Sequence, residues 1–367
     1  MRVRLLFLLI TAAVALPFSA HAQDQKADDV IKVDTQIVDV PLAVLSPAGV
    51  PVRGLKATNF VVFEDGKRQE IADFSSTAEP FEVALLLDTS GSARNDLQLI
   101  KRAALAFIRS LRLGDRVAII AYRTERDEQE AYSISEVLNP LTSERAKLEA
   151  AVERVRTSNS TPYYDSLEQI VEKVFGDRPS DEFRGRRALV ALTDGVDSAS
   201  AADFESAKEM IESSGLITFF IKVDTREFFE SNLLGGCEMA IRFSSAQIRR
   251  YYRSIKAKPG MERAVNFCDL GEFERLAVSK RLYELADTEM ADLAKASGGR
   301  VFPIGDLSDA RAAFKGVADE IGTKYTLAYY PSNTKKDGTY RKLRVDVTGL
   351  PKGTVVRARE GYTAPLN

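Results

Sequence analysis

Apolar residues along this chain follow two rhythms, which divide it into a β-rich beginning, a long middle and a β-rich end. In residues 31–78 and 323–367, apolar positions alternate with polar ones, as in strands that bury one face. A few strands cannot easily bury a core alone. We therefore predict that the two blocks pack together as one small β-sandwich, with two separate β extensions as the alternative.

Two Asp-Gly pairs, at 65–66 and 337–338, are typical of β-hairpin turns. The first lies between apolar runs at 60–63 and 71–74, which predicts a hairpin of those two runs. The second predicts another hairpin in the C-terminal block.

The middle of the chain, residues 81–322, alternates strands with helices. This order predicts an α/β fold, a doubly wound and mostly parallel sheet with helices on both faces. Its first strand, residues 83–87, is continuously apolar, as expected of a strand that is covered on both sides. Helical spacing predicts helices at 93–112 and 285–297. Residues 225–283 interrupt the rhythm and are interpreted as an insertion.

The first 22 residues resemble a secretory signal peptide. Two arginines precede an apolar run from Leu5 to Phe18, and residues 20–22 form an Ala-His-Ala cleavage site. A membrane span needs about 20 apolar residues, so we expect none in the mature chain, with a retained anchor as the alternative. Residues 23–30 are expected to form a flexible tether. The chain is therefore predicted to be exported, to the periplasm or the exterior.

The net charge and the histidine content of the chain argue against several classes of function. The chain has 51 Lys and Arg and 53 Asp and Glu, and its net charge of −2 becomes −4 once Arg2 and Arg4 are removed. This balance argues against nucleic acid or an anionic membrane as the main partner. The only histidine is His21, inside the signal peptide. The mature chain therefore lacks Ser-His-Asp and Cys-His catalytic systems and histidine-ligated zinc.

Both cysteines, Cys237 and Cys268, lie in the insertion. An exported protein meets an oxidising compartment, so we predict a disulfide between them, with two free thiols as the alternative. The insertion also carries a cationic aromatic cluster at 249–253. It is either a partner-facing patch or a solvated helix face with its tyrosines against the body.

Five oxygen-bearing side chains are expected at one edge of the predicted sheet, because the carboxyl ends of parallel strands meet there. Oxygen-only donors suit Mg²⁺, Mn²⁺ or Ca²⁺. Each residue alone is also an ordinary turn or helix-cap residue. The five are Asp88, Ser90 and Ser92 after the first strand, Thr161 before a helix, and Asp194 after a later strand.

The motif Asp88-x-Ser90-x-Ser92, followed by Thr161 and by Thr-Asp-Gly around Asp194, resembles a von Willebrand factor type A domain with its metal-ion-dependent adhesion site. The resemblance implies a Rossmann-like fold and a bound Mg²⁺, Mn²⁺ or Ca²⁺. It also implies direct ligation by Ser90 and Ser92, ligation by Thr161 directly or through water, and aspartates that act through bridging waters. In that family, an aspartate or glutamate of a protein partner completes the coordination.

The flanking blocks are similar to those of a group of exported bacterial proteins related to von Willebrand factor type A. The similar segments are residues 62–67 before the domain and residues 329–331 and 359–362 after it. This resemblance extends the expected architecture beyond the central domain.

Taken together, these patterns predict a cation-dependent adhesion or protein-binding module that is not an enzyme. One alternative is a Mg²⁺-dependent enzyme in which Asp88 or Ser90 acts on a phosphoryl or ester group. Against it, Ser90 occupies the position where acid-nucleophile phosphatases have a second aspartate. The other alternative is an envelope scaffold whose metal site is vestigial.

Overall fold

The structure is a computed structural model. The predicted signal peptide and tether lie outside the residues that it describes, and so does Ser92 of the predicted metal site. Within the described part of the chain, no helix combines the length and apolar character needed to cross a membrane. The described residues are 37–47, 51–76, 80–90, 97–126, 131–177, 186–237, 241–257, 266–321 and 325–366.

Strands and helices are numbered here in chain order. The strands are β1 (Val38–Leu45), β2 (Phe60–Glu64), β3 (Lys67–Gln69), β4 (Ile71–Ser76), β5 (Phe81–Leu87), β6 (Arg116–Arg126), β7 (Ala131–Thr142), β8 (Arg186–Thr193), β9 (Ile217–Val223), β10 (Arg300–Ile304), β11 (Tyr325–Tyr329), β12 (Tyr340–Val347), β13 (Val355–Ala358) and β14 (Gly361–Thr363). The helices are α1 (Leu97–Ser110), α2 (Arg145–Arg154), α3 (Tyr163–Gln169), α4 (Phe204–Ser214), α5 (Arg226–Ser231), α6 (Ser245–Ser254), α7 (Glu272–Ser297) and α8 (Ala310–Ile321).

The central sheet has six strands in the order β10-β9-β8-β5-β6-β7. Its neighbouring strands are parallel except for β6 and β7 at one edge. Side chains of α1, α2 and α8 pack on one face, and those of α3, α4 and α7 pack on the other. All seven residues of β5 are buried, because helices cover both of its faces. The predicted doubly wound α/β fold is confirmed.

The N- and C-terminal blocks form two antiparallel sheets, ordered β13-β1-β11-β4 and β14-β12-β2-β3. Each sheet contains strands from both ends of the chain. Their apolar faces share one core, in which Leu42 and Leu327 of one sheet join Val62 and Leu343 of the other. The predicted β-sandwich is therefore present.

Both predicted hairpins are wrong in their pairing. The turn at 65–66 forms, with Asp65 and Gly66 at positive φ, but it joins β2 to β3. The run predicted to pair with β2 is β4, which crosses to the other sheet and pairs with β11. The turn at 337–338 lies between β11 and β12, which also belong to different sheets. A turn signal fixes the local bend but not the sheet that the next strand joins.

Helix α7 begins at Glu272, well before the predicted start at 285. Its first half belongs to the insertion, where Val278 and Leu282 join a separate apolar cluster. Arg275 is also buried on that side, since its guanidinium donates to backbone carbonyls. The mixture of buried apolar and buried charged positions hides the helical stripe in the sequence.

Cys237 and Cys268 form a disulfide with a Cα–Cα distance of 5.3 Å. They are 31 positions apart, so the bond restricts a long loop of the unfolded chain. We predict that the double variant Cys237→Ser/Cys268→Ser has a free energy of unfolding that is lower by about 2–4 kcal/mol. Urea denaturation measures this change. Reductant should lower the urea midpoint of wild type and leave that of the double variant unchanged. Equal midpoints for the two proteins without reductant would contradict the prediction.

Candidate metal site

Asp88 follows β5 directly and is held by hydrogen bonds from both its backbone and its carboxylate. Its backbone N–H donates to the Leu192 carbonyl at 2.9 Å, which extends the parallel pairing with β8 by one residue. Carboxylate Oδ1 accepts from the Ser90 backbone N–H at 3.0 Å, and Oδ2 accepts from the Thr193 hydroxyl at 2.7 Å. Only 5% of Asp88 is exposed, and this burial raises the pKa of its carboxyl.

Asp194 follows β8 on the same edge of the sheet. Its Oδ1 accepts from the Val196 backbone N–H at 2.9 Å, and its Oδ2 accepts from the Thr225 hydroxyl at 2.5 Å. Burial raises the pKa of Asp194 to about 7, and the negative charge of Asp88 contributes in the same direction. The two predicted carboxylates are therefore close enough to repel one another.

The donors to these two carboxylates are neutral N–H and O–H groups. Among the described residues, neither Asp88 nor Asp194 forms an ion pair with a lysine or arginine. Two buried carboxylates without a positive partner are costly to ionise together. A divalent cation beside them would supply the missing positive charge.

Thr161 lies in the loop before α3 and is 5% exposed. Its backbone N–H donates to the Ser198 hydroxyl at 2.8 Å, and its carbonyl accepts from the Ser198 N–H at 3.0 Å. The same loop reaches the Asp88 turn, since the Ser158 N–H donates to the Thr89 carbonyl at 2.8 Å. Backbone hydrogen bonds thus join the three loops that carry the predicted ligands.

Asp197 also contributes to this arrangement, and the sequence reasoning missed it. Its Oδ1 accepts from the backbone N–H of Tyr163, the first residue of α3, at 2.9 Å, and from the Ser200 hydroxyl at 2.5 Å. Burial raises the pKa of Asp197 to about 6. The available signal was Asp197 with the serines at 198 and 200, which follow the Asp-Gly pair after one valine. Asp197 accepts a hydrogen bond from the first backbone N–H of α3 and so fixes the loop that carries Thr161.

Gly195 is required by the turn that follows Asp194. Its φ is +72°, a conformation that side chains rarely adopt. A Cβ at this position would also lie 2.8 Å from Cε of Met290, on α7. The Thr-Asp-Gly motif therefore has a packing reason in addition to its chemistry.

Thr225 and Tyr283 connect the insertion to the site, and the sequence reasoning missed both. The Thr225 hydroxyl, which donates to Asp194, lies 2.8 Å from the Tyr283 hydroxyl. Thr225 could have been found because it follows the end of β9 at the same sheet edge. No comparable signal marks Tyr283, whose contact depends on where α7 packs.

Ser90 and Asp194 line both of two neighbouring cavities. The larger, about 340 Å³, is also lined by Thr161 and by residues of the insertion. The smaller, about 170 Å³, is also lined by Asp88 and Thr225. The structure thus brings Asp88, Ser90, Thr161 and Asp194 together, while Ser92 lies outside the described residues.

The donor set fits a hard divalent cation. Within the described ranges, no three acidic, cysteine or histidine side chains form a metal-binding group. A cation at this edge would therefore depend on the hydroxyls of Ser90 and Thr161 together with the charges of Asp88 and Asp194. Few charges and several oxygen donors suit Mg²⁺, which keeps part of its water shell.

Comparisons with known proteins give structural similarities at low sequence identity. An aerotolerance-related membrane protein from Bacteroides fragilis NCTC 9343 is 17% identical, with 66% of this chain and 98% of that chain covered and a TM-score of 0.37. Proximal thread matrix protein 1 from the mussel byssus is 15% identical, with 74% and 51% covered and a TM-score of 0.43. A von Willebrand factor type A protein from Catenulispora acidiphila is 13% identical, with 91% and 75% covered and a TM-score of 0.41.

The sequence itself matches one known family. No protein of curated function matches it. Residues 83–196, which run from β5 through the Asp194 turn, match the von Willebrand factor type A domain. The matched stretch, residues 83–196, is therefore similar to a von Willebrand factor type A domain, and it carries both Asp88 and Asp194.

Proposed function

We propose that this protein is an exported module that binds another protein through a divalent cation, Mg²⁺ in the first instance. Domains of this type are generally protein-interaction modules. The observation that supports the cation is the meeting of two buried carboxylates, Asp88 and Asp194, which form no ion pair among the described residues and lie beside the hydroxyl-bearing Ser90 and Thr161.

Each residue of the site has a distinct role in this proposal. Ser90 and Thr161 offer hydroxyl oxygens to the cation, as does Ser92 by its place in the sequence motif. Asp88 and Asp194 supply negative charge and orient water, because both oxygens of each already accept hydrogen bonds. The bound cation would offer an electrophilic position to a carboxylate of the partner.

The two alternatives, an enzyme and a scaffold with a vestigial site, have less support than this proposal. The mature chain has no histidine to act as a general base beside Ser90. A scaffold with a vestigial site does not account for two buried like charges whose donors are neutral. A partner that bound equally well in EDTA would favour the scaffold, and hydrolysis of a phosphate or ester probe would favour the enzyme.

We predict that Thr161→Ala weakens Mn²⁺ binding by at least about tenfold, while Thr161→Ser stays near wild type, because serine keeps the hydroxyl. Electron paramagnetic resonance of free Mn²⁺ measures both affinities, with Mg²⁺ as competitor. The same proteins are then used to capture partners from an envelope extract in Mg²⁺, in EDTA and after Mg²⁺ is restored. Capture should follow cation binding in every condition, and Mn²⁺ affinity that is unchanged in Thr161→Ala would remove this residue from the site.

A further inference from the structure

We name residues 225–283 the cap, and its described residues, 225–237, 241–257 and 266–283, include several that line the larger cavity at the candidate metal site. The described part contains α5, α6, the first half of α7 and the disulfide. It has its own apolar core, which includes Leu233, Phe243, Ile248 and Phe267. The cap is therefore built as a structured cover.

The cap is attached to the neighbouring elements on two sides. At one side, the Thr225 hydroxyl binds Asp194 and lies next to the Tyr283 hydroxyl, so both ends of the cap meet at this carboxylate.

At the other side, Arg250 of α6 forms an ion pair with Glu289 of α7. Glu289 also accepts from the Tyr164 hydroxyl of α3 at 2.5 Å, and the Arg250 guanidinium stacks over the Tyr164 ring. The cationic aromatic cluster therefore anchors the cap beside the Thr161 loop, which makes the cavity preorganised.

The walls of this cavity differ in chemistry. Ser90, Thr161 and Asp194 form the side where a cation would bind. The cap supplies three phenylalanines and one arginine, and these residues are Phe228, Phe229, Phe243 and Arg242. A cavity of about 340 Å³ is at the small end of ligand pockets and is too narrow for a flat protein face.

Arg242 gives the cap a second site for an anion. Its Nε donates to the Cys237 carbonyl at 3.0 Å, which fixes the guanidinium next to the disulfide. Within the described part of the chain it forms no ion pair, and its terminal N–H groups suit a carboxylate. The cavity thus combines a cation position, an apolar wall and an arginine.

We propose that the cap makes the site selective for the C-terminal segment of a partner, in which an aromatic residue precedes a final aspartate or glutamate. The acidic side chain binds the cation, the terminal carboxylate binds Arg242, and the aromatic ring packs against Phe228. This inference rests on the proposed cation-dependent function and narrows its partner to a flexible chain end.

The test uses the peptide acetyl-Gly-Gly-Phe-Asp with a free C-terminus, titrated into the full-length mature protein in Mg²⁺ and followed by NMR of the peptide. Amidation of its C-terminus should weaken binding to wild type about three- to fivefold and should have no effect on Arg242→Gln. Replacing the peptide's phenylalanine with serine should lower its affinity for wild type about tenfold. The same replacement should change its affinity for the Phe228→Ser variant little. Both substitutions are at solvent-accessible positions, and near-ultraviolet circular dichroism checks that the cap stays folded.

Two controls separate this inference from the proposed function. The Asp→Asn peptide and EDTA test the cation, and Mn²⁺ binding is measured without any peptide. If Mn²⁺ binds but the peptide does not, or if amidation matters equally with wild type and Arg242→Gln, the cap does not select a chain end and the inference is wrong. If Mn²⁺ itself does not bind, the proposed function fails.

Discussion

Replacing Glu64 with leucine should lower the free energy of unfolding by up to about 3–5 kcal/mol, because it removes the buried counter-charge of Arg341 and leaves it only the partly exposed Asp337, 3.8 Å away. Glu64 of β2 and Arg341 of β12 are each 2% exposed. Arg341 Nη1 lies 3.3 Å from Glu64 Oε1. Urea denaturation followed by far-ultraviolet circular dichroism measures the change.

The same carboxylate organises two tyrosines of the sandwich. Glu64 Oε2 accepts from the Tyr329 hydroxyl at 2.6 Å and from the Tyr362 hydroxyl at 2.9 Å. Burial raises the pKa of Tyr329, so its hydroxyl stays protonated and donates. These contacts link β2, β11 and β14, and so connect both sheets and both ends of the chain.

A double variant separates the charge from the packing. Glu64→Leu/Arg341→Met removes both charges and should be more stable than Glu64→Leu alone. Hydrogen exchange should show that the loss is concentrated in the sandwich strands. A cost below about 1 kcal/mol for Glu64→Leu, the size of an exposed pair, would show that the pair is solvated.

The parts of the fold that the sequence predicted are those whose signal is local and repeated. Strand β5 is buried throughout and apolar at every position except Glu82, and the strand-helix alternation around it predicts a parallel sheet directly. Asp88 and Asp194 could be placed at one edge because they immediately follow such strands.

The parts that could not be predicted depend on contacts between distant segments. The sequence of β4 suits a strand, but its pairing with β11 is decided by the core that both sheets share. Arg275 looks like a surface residue until the carbonyls of Leu270 and Leu233 surround it. The same holds at the site, where the contact of Thr225 with Asp194 exists only because the cap folds back over the sheet edge.

The cap changes what the sheet edge can bind. The sequence motif alone predicts an open coordination position that any acidic surface could reach. In the structure, Phe228 of α5 lines both cavities beside Ser90 and Asp194. If the proposed function is right, an acidic group of the partner would have to pass Phe228 to reach the cation, so the cap would limit which shapes of partner can bind.

Asp88→Asn should weaken Mn²⁺ binding by about 10- to 100-fold without lowering the stability of the metal-free protein. Asparagine fits the site, because its Oδ1 can accept from the Ser90 N–H while its Nδ2 donates to the Thr193 hydroxyl. That hydroxyl can accept a second hydrogen bond beside the one from the Gly195 N–H at 2.9 Å.

If Asp88 helps to bind a cation, Asp88→Asn must lower cation affinity while leaving stability in EDTA unchanged or higher. Without metal, Asp88→Asn removes one of two buried like charges, so its midpoint in EDTA should equal or exceed that of wild type. With Mg²⁺, wild type should gain stability from binding and the variant should not. Asp203→Asn is the matched control. Asp203 is the exposed residue that precedes α4 and accepts a hydrogen bond from its first turn, and asparagine removes the charge but keeps the accepting oxygen. A variant that is less stable in EDTA yet still binds Mn²⁺ like wild type would show that Asp88 only supports the turn.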